Sequence, residues 1–402
     1  MIVTRLSLTD FRNYEFADIE LQPGPNLFVG SNGQGKTNLV ESLGYLSTLG
    51  SHRVSSEQAM IRQGASAAII RARLRHEEKE LLLEVQLNRV GANRAQLNRG
   101  QIKVRELPRY VSTVLFAPED LALVRGEPSG RRRFLDELLV LRSPRLAGVM
   151  SDYERVLKQR NSLLKSARAS GVKGGQLGTL EIWDERLVAL GSELIVARAV
   201  LVAELQPEVA AAYIAVAGDD HHAVLASRLS ILGSDPDAED DLGQVAAEGI
   251  GLAEVVTGFR ESLDRLRRNE LDRGVTLVGP HRDDLVLGLN DMPARGYASH
   301  GESWSFALSL KLASAAVLRR ESSSGDPVLI LDDVFAELDE SRRARLAAAV
   351  HDFEQVLITA AVFGDVPAEL SGHTVRIERG RIVERDSPPR VKKGTVEEGN
   401  DD

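Results

Sequence analysis

Eight consecutive residues near the start of the chain have the types and spacing of a phosphate-binding loop. They fit the pattern G-x-x-x-x-G-K-[ST] in full, and they are Gly30, Ser31, Asn32, Gly33, Gln34, Gly35, Lys36 and Thr37. In such a loop the glycines let backbone N–H groups wrap around phosphates, the lysine reaches the terminal phosphates, and the threonine hydroxyl binds Mg²⁺. An apolar segment precedes the loop and a helix-like segment follows it. The pattern therefore predicts a nucleoside triphosphate site with Mg²⁺.

A pair of acidic residues follows an apolar segment far along the chain. Residues 328–331 are all apolar and lead directly into Asp332 and Asp333. Such a run is typical of a strand buried on both faces of a parallel sheet, here with two carboxylates at its tip. We expect Asp332 to hold Mg²⁺, directly or through water. Asp333 is expected to polarise the attacking water, so that Asp333 and Lys36 are the predicted catalytic residues.

A third motif marks the start of a predicted helix. Ser299 and Gly301 precede the helix and Glu302 opens its first turn. Exposed N–H groups at a helix N-terminus favour an anion, although a Ser/Gly cap is common and specifies little alone. The order of phosphate-binding loop, S-x-G-E helix, acidic strand and Asp339 resembles the layout of the ABC ATPases, which bind ATP. The helical region inserted before the S-x-G-E helix resembles that of the SMC-like branch, whose heads act on DNA.

The apolar pattern predicts an α/β fold, namely a P-loop ABC-type ATPase head built from both chain ends with an inserted helical arm domain. Strands are predicted at residues 2–8, 26–29, 67–74, 81–87, 111–116, 275–278, 285–289, 328–331 and 355–359. Apolar residues spaced by three and four between Leu180 and Leu201 predict a helix packed along another helix at 151–169, with residues 171–178 as the tip.

Four parts of the chain follow from this pattern. Residues 1–141 are the predicted N-terminal part of the ATPase head, and 142–273 the inserted helical or short coiled-coil arm. Residues 274–385 complete the head with the S-x-G-E motif and the acidic strand. Residues 386–402 are polar and contain Pro and Gly, which predicts a disordered tail.

The composition restricts location and chemistry. The 402 residues contain no cysteine, which excludes disulfides, thiolate metal sites and cysteine nucleophiles. The sequence holds no signal-peptide core and no apolar run of about 18 residues, so we expect a soluble, cytoplasmic protein that does not bind membranes. The net charge of −9 neither supports nor excludes DNA binding, because acidic residues concentrate at 235–241 and in the tail while arginines cluster elsewhere.

Longer motifs narrow the resemblance. They are FRNYE at 11–15, FAPEDLALVRGEPSGRRRFLDELL at 116–139, GPHRDDL at 279–285 and LILDDVFAELD at 329–339. Together they resemble the RecF family of bacterial recombination mediators, in the right order and over about residues 1–380.

The resemblance implies a function and a composite site. Two heads would dimerise with ATP between them, so that Ser299, Gly301 and Glu302 of one subunit face the γ-phosphate held by the other, with Asp339 at the interface. ATP binding would drive dimerisation, and slow, DNA-stimulated hydrolysis would release it. Members of the family bind DNA, especially single-strand/duplex junctions at gaps, and load recombinase with RecO and RecR.

The chain departs from the ABC pattern at several positions. Asp333 stands where most ABC ATPases have glutamate, which suggests slow turnover. No histidine follows the last apolar strand, where Thr359 is a weak substitute. The S-x-G-E motif continues with Ser-Trp rather than with a basic residue, which puts some family dimer contacts in doubt. No Gln-loop glutamine is evident, and Glu119 or Asp120 is the alternative.

Arginines are the candidates for further contacts. Arg12 and Arg53 are expected near the nucleotide or DNA, with an ordinary surface role as the alternative for each. The cluster at the start of a predicted helix is a candidate for phosphate contacts or for ordinary ion pairs, and it consists of Arg131, Arg132 and Arg133. His281 and His300 match no metal-binding cluster, so solvated or hydrogen-bonded histidines are expected.

Two other functions share part of the pattern. An SMC-like chromosome-organising ATPase would need long arms, whereas about 25–30 helical residues at about 1.5 Å each form a short arm. A transporter-coupled ABC ATPase subunit would have a separate membrane partner, and the helical insertion and the motifs at 116–139 and 279–285 disfavour it.

Overall fold

A computed structural model describes residues 1–54, 56–170, 178–218, 221–233, 249–322 and 325–386. Three predicted features lie outside these residues: most of the hairpin tip at 171–178, the acidic segment 235–241, and residues 387–402 of the tail. The helices are α1 (Lys36–Thr48), α2 (Leu121–Arg125), α3 (Pro128–Arg142), α4 (Leu146–Ser170), α5 (Gly178–Ala217), α6 (Leu252–Arg273), the single turn α7 (Ala294–Tyr297), α8 (His300–Glu321) and α9 (Glu340–Val350).

A mixed sheet with strands from both chain ends forms the centre of the molecule. Its order is β15-β14-β3-β13-β12-β8, and only β15 runs antiparallel to its neighbour. The strands are β3 (Gly24–Val29), β8 (Thr113–Phe116), β12 (Val328–Asp332), β13 (Gln355–Ala360), β14 (Thr374–Glu378) and β15 (Arg381–Asp386). The predicted α/β head built from both ends is thereby confirmed. The predicted tail at 386–402 begins at the last residue of β15.

The continuous apolar runs of β12 and β13 are explained by burial on both faces of this sheet. Val328, Ile330 and Leu357 face one core, which they share with α1 and with a six-stranded antiparallel sheet of order β2-β1-β4-β5-β6-β7. Leu329 and Ile358 face the other core, which contains α3, α8 and α9. The antiparallel strands are β1 (Ile2–Phe11), β2 (Tyr14–Glu20), β4 (Ala67–His76), β5 (Lys79–Asn88), β6 (Arg94–Leu97) and β7 (Gly100–Ile102).

The middle of the chain is not purely helical. Helices α4, α5 and α6 pack around a core of their own that contains Tyr153, Leu187 and Phe259. However, β9 (Ala223–Arg228), which the sequence pattern did not predict, pairs antiparallel with β10 (Asp284–Leu289) and forms a small sheet with β11 (Met292–Pro293). The second half of α5 also joins the core of the head, where its Leu205 and Tyr213 lie beside α8.

One predicted strand is wrong. Residues 275–278 form an irregular segment, because side chains rather than a neighbouring strand accept two of its backbone N–H groups. Thr276 donates its N–H to Asn161 Oδ1 at 2.7 Å, and Leu277 donates to Glu270 Oε1 at 2.9 Å. Across the described ranges, no helix is both long and apolar enough to cross a membrane.

Candidate active site

The phosphate-binding loop connects β3 to α1, and two of its glycines have no room for a side chain. A Cβ on Gly30 would lie 2.2 Å from the carbonyl oxygen of Ile377 in β14. Gly35 adopts φ 116°, and a Cβ there would lie within 2.9 Å of side-chain atoms of Asn13 and Tyr14. Packing therefore requires glycine at position 30, and packing together with backbone conformation requires it at position 35.

Neighbouring elements hold the loop in shape. The Tyr14 hydroxyl donates to the carbonyl oxygen of Gly35 at 3.0 Å, and the Asn13 amide donates to that of Gln34 at 3.1 Å. The Gly380 N–H donates to the same Gln34 carbonyl at 2.9 Å. The sequence pattern does not predict this role of Asn13 and Tyr14, although both lie in the FRNYE motif. The tip of the loop is exposed and consists of Ser31, Asn32 and Gly33.

Lys36 is buried at the first position of α1. Its Nζ donates to the Gly30 carbonyl oxygen at 2.7 Å and to that of Ser31 at 3.5 Å. The ammonium group thus lies over the loop itself, where a bound phosphate would become a stronger acceptor than these neutral carbonyls.

Thr37 and Asp332 are brought together although 295 residues separate them in the chain. Thr37 Oγ1 donates to Asp332 Oδ1 at 3.0 Å, and Thr359 Oγ1 donates to the same oxygen at 2.6 Å. Burial at the end of β12 raises the pKa of Asp332 to about 6, and these two hydrogen bonds oppose the rise. A divalent cation beside Asp332 would favour the ionised form, so the donor set suits Mg²⁺.

Asp333 adopts a left-handed backbone conformation with φ 52°. Its N–H donates to Thr359 Oγ1 at 2.9 Å, so one threonine hydroxyl contacts both acidic residues. Among the described residues, the buried Asp333 Oδ1 has no hydrogen-bond partner. A buried carboxylate oxygen without a donor is a costly arrangement that a bound water would relieve. From the sequence, Thr359 is only a weak substitute for the histidine of the ABC pattern.

Glu119 and Asp120, the two alternatives to a Gln-loop glutamine, have different environments. Asp120 accepts the Ala117 N–H at 2.9 Å and forms an ion pair with Lys311 of α8 at 2.9 Å. Glu119 is exposed, and its charge contributes to the raised pKa of Asp332 after the larger effect of burial. Glu119 is therefore the residue that remains available beside the acidic pair.

The S-x-G-E motif forms a reciprocal cap on α8. Ser299 Oγ accepts the Glu302 N–H at 3.3 Å, and Glu302 Oε2 accepts the Ser299 N–H at 2.6 Å. Hydrogen bonds from Ser299 are the main reason why the pKa of Glu302 lies below its usual value. Gly301 lies against the guanidinium of Arg342, which a Cβ would approach within 2.8 Å. In the described part of the chain, no hydrogen bond joins these three motif residues to the phosphate-binding loop.

The two residues after the motif point inward. Ser303 Oγ donates to the Ser299 carbonyl at 2.8 Å, and the buried Trp304 packs edge-on against Phe116 with ring centroids 5.5 Å apart. Trp304 Nε1 donates to His300 Nε2 at 2.9 Å. The Ser-Trp departure therefore concerns the interior of the head.

Asp339 caps α9 with its own carboxylate. Its Oδ1 accepts the Arg342 N–H at 2.9 Å and the Ser341 hydroxyl at 2.7 Å, while Oδ2 accepts Arg342 Nη1 at 2.8 Å. The backbone hydrogen bond from Arg342 is the largest of several effects that lower the pKa of Asp339. The carboxylate thus accepts three hydrogen bonds within its own chain, while about half of the side chain remains exposed.

Arg12 and Arg53 line one surface depression beside α1. Arg12 Nε donates to the buried Glu41 at 2.8 Å, and its Nη1 donates to the Ala59 carbonyl at 2.9 Å. Arg53 is exposed and donates to Asn38 Oδ1 at 2.9 Å. Of the two, Arg53 has the guanidinium that is open to a ligand.

The arginine cluster separates into three different environments. Arg131 is buried and donates to Asp284 through Nε at 2.8 Å and Nη2 at 2.7 Å, which is the ordinary ion pair among the two alternatives. Arg132 is half-buried, which lowers its pKa, and it donates to the Asp283 carbonyl at 2.7 Å. Arg133 is exposed and forms an ion pair with Glu137 at 2.7 Å.

Neither histidine considered from the sequence forms a metal centre. His281 Nδ1 lies 2.7 Å from the Tyr153 hydroxyl, and burial lowers its pKa to about 3, so the ring is neutral at physiological pH. His300 accepts from Trp304 as described above. No group of three potential metal ligands of the His, Cys, Asp or Glu types occurs in the part of the chain that the structure covers.

Comparisons with known proteins identify related sequences and structures. The family model described as RecF/RecN/SMC N terminal domain matches residues 2–366. The DNA replication and repair protein RecF of Clavibacter michiganensis subsp. michiganensis is 66% identical over 392 residues, which cover 96% of this chain and 97% of the relative. Two solved structures also match over 96% of this chain. The recombination mediator protein RecF-ATPrS in the RecFOR pathway has a TM-score of 0.83, 27% identity and 98% coverage. The corresponding RecF-ATP structure has a TM-score of 0.81, 26% identity and 99% coverage.

Proposed function

The chain belongs to the RecF family within the RecF/RecN/SMC-type ATPases, and from that premise we propose that it is an ATP-dependent, DNA-binding recombination mediator in DNA replication and repair. The observation that carries this proposal is the hydrogen-bonded set beside the phosphate-binding loop, formed by Thr37, Asp332, Thr359 and Asp333. It joins the two ends of the chain at one site. A ligand bound there can therefore affect both parts of the head.

The residues fit ATP and Mg²⁺ as ligands. The proposed phosphate contacts are the backbone of residues 30–35 and the Lys36 ammonium, and Thr37 with Asp332 would hold the metal, which supplies charge neutralisation. In hydrolysis, the water oxygen bonds to the γ-phosphorus while the bond to the bridging oxygen breaks, and ADP leaves with that electron pair. Asp333 would accept the proton of the water, and its buried Oδ1 without a hydrogen-bond partner supports this role. Its side chain is one methylene shorter than glutamate, so turnover should be slow.

The second half of the site comes from another subunit in this proposal. Ser299, Gly301 and Glu302 would face the γ-phosphate bound by the loop of the partner, and Asp339 would lie at the interface. Their hydrogen bonds within their own chain support this arrangement, since none reaches the loop of the same chain among the described residues. Because the dimer would bind ATP better than the monomer, ATP shifts the equilibrium towards the dimer.

DNA and two further proteins are the proposed partners. We infer binding to gapped DNA and to single-strand/duplex junctions, with RecO and RecR acting in recombinase loading in the cytoplasm. Arg53 and Arg133 are exposed and are the surface arginines that we assign to this role.

We also propose that the chain divides into head parts 1–141 and 274–385 with an arm at 142–273.

Dimerisation and gapped-DNA binding, measured with and without ATP, test this function. Wild type should dimerise and bind gapped DNA more tightly with ATP, whereas Lys36→Met and Ser299→Arg should do neither. Arg320→Gln is a matched control, because Arg320 lies on the exposed far end of α8, paired with Glu208 at 3.2 Å. ATP-driven dimers of Ser299→Arg would contradict the composite site. Equal binding to gapped and continuous duplex would favour a chromosome-organising ATPase, and no DNA binding at all would favour a transporter subunit.

A further inference from the structure

Arg342 lies at the third position of α9 and reaches across to the start of α8. A Cβ built on Gly301 would lie 2.8 Å from Nη1, 2.9 Å from Nη2 and 3.1 Å from Cζ of Arg342. The flat guanidinium therefore occupies the space where any other residue at position 301 would place its side chain. The glycine of the S-x-G-E motif is what permits this close approach.

Asp339 fixes the orientation of this guanidinium. Its Oδ2 accepts Arg342 Nη1 at 2.8 Å, while its Oδ1 accepts the backbone N–H of the same arginine at 2.9 Å. The Ser341 hydroxyl donates to Oδ1 as well. Because one carboxylate holds both the backbone and the side chain, Arg342 is preorganised, and a quarter of its side chain remains exposed.

The charge distribution at this point is unusual. A helix N-terminus carries a partial positive charge, and cations are favoured at the opposite end. Arg342 nevertheless places a full positive charge at the N-terminus of α8, a helix of 22 residues. The nearby carboxylates offset this charge in part, since Arg342 contributes to the lowered pKa of Glu302 after the larger effect of Ser299. An anion at the same point would interact favourably with the guanidinium and with the N–H groups of the helix.

We propose that Arg342 is a further residue of the composite ATPase site and that its guanidinium contacts the γ-phosphate held by the phosphate-binding loop of the other subunit. The inference rests on the proposed dimer, because it is the facing subunit that brings a phosphate to Ser299 and Gly301. Charge that develops on the γ-phosphate oxygens during hydrolysis is then stabilised by a guanidinium already fixed in place. Asp339 acts as a positioning residue for Arg342.

Substitution of Arg342 separates contact from positioning. Arg342→Gln keeps a side-chain donor for Asp339 but removes the charge, and Arg342→Lys keeps the charge. We expect Arg342→Gln to lower kcat by about 10²-fold or more with little change in KM. We expect Arg342→Lys to recover part of that loss, and Arg320→Gln to match wild type. ADP with vanadate, which mimics the transferring phosphoryl group, should trap dimers of wild type but not of Arg342→Gln. If Arg342→Gln instead hydrolyses ATP and is trapped like wild type, the guanidinium does not contact the γ-phosphate.

Mixing inactive variants shows on which subunit Arg342 acts. In a mixed dimer of Lys36→Met and Arg342→Gln, the loop of the Lys36→Met subunit is defective. The loop of the Arg342→Gln subunit is normal, and it faces a normal Arg342 only if that residue acts across the interface. One intact site is therefore present only if Arg342 acts across the interface. Equal mixing should restore a rate well above that of either variant alone and at most about half of the wild-type rate, since each mixed dimer holds one intact site of two. The reference is the mixture of Lys36→Met with Ser299→Arg. Recovery in the reference alone would overturn the role of Arg342 and leave the composite site standing, whereas recovery in neither mixture would overturn the composite site itself.

Discussion

The ionised carboxylate of Asp332 should destabilise the ligand-free protein, and Asp332→Asn should relieve this cost. Burial raises the pKa of Asp332 from its usual 3.8 to about 6. Because the folded-state pKa lies above the unfolded value, the folded chain binds more protons in that window. Its stability therefore falls as the pH rises from about 4 to 6 and stays lower above it. At about 1.36 kcal/mol per pKa unit, this lowers the free energy of unfolding by about 3 kcal/mol at pH 8 and by about 1.5 kcal/mol at pH 5.

Asparagine has nearly the same shape and keeps an oxygen that can accept from Thr37 and Thr359. The free energy of unfolding of Asp332→Asn should therefore exceed that of wild type by about 3 kcal/mol at pH 8 and about 1.5 kcal/mol at pH 5. Asp283 is also buried with its pKa raised to about 6, and its contribution cancels because both proteins contain it.

Urea unfolding of the ligand-free proteins at the two pH values measures the difference. The same titrations with Mg²⁺ and a slowly hydrolysed ATP analogue should reverse the order, because the wild-type carboxylate then has a cation beside it. A stability difference that does not change between pH 5 and pH 8 would refute the reasoning, as would an Asp332→Asn protein less stable than wild type at pH 8.

Three further predictions concern neighbouring contacts. Thr359→Val leaves the half-buried Asp333 N–H without its acceptor and Asp332 without one donor. The free energy of unfolding should fall by about 2–4 kcal/mol and the ATPase rate should fall as well, as measured by urea titration and phosphate release. Arg131→Met breaks a buried ion pair with Asp284 and should lower the free energy of unfolding by about 3–5 kcal/mol. The slope of log DNA affinity against log salt concentration should stay at the wild-type value, because a buried arginine does not contact phosphates. A shallower slope would contradict the burial of this arginine. Gly30→Ala places a methyl group 2.2 Å from a backbone oxygen and should abolish nucleotide binding by calorimetry, whereas binding at wild-type affinity would mean that the loop can move aside.

The parts of the fold and site that could be predicted from sequence are those whose physical requirement is local. The eight residues 30–37 include every group that a phosphate-binding loop needs. The run 328–331 is apolar throughout because both faces of β12 are buried. The S-x-G-E segment likewise specifies a helix cap through residues three positions apart.

The sequence pattern gives a wrong strand prediction where side chains, and not a neighbouring strand, accept backbone N–H groups. Residues 275–278 have the apolar character of a strand, but Asn161 and Glu270 accept backbone N–H groups that a ladder would otherwise use. Conversely, β9 is short and forms only because β10 offers it a partner. Pairing of this kind depends on residues far apart in the chain. The periodicity of a single segment does not predict which distant strand it pairs with.

By itself, the sequence determined a nucleotide-binding loop, an acidic strand and a helix cap, together with the family that arranges them in this order. Tertiary structure alone decided what the remaining polar residues do. Arg131 and Arg133 are two positions apart on one helix, yet one is buried against Asp284 and the other is exposed. Arg342 and Gly301 meet only because α8 and α9 converge. A residue type states which interactions are available, whereas burial and the position of distant partners decide which of them form.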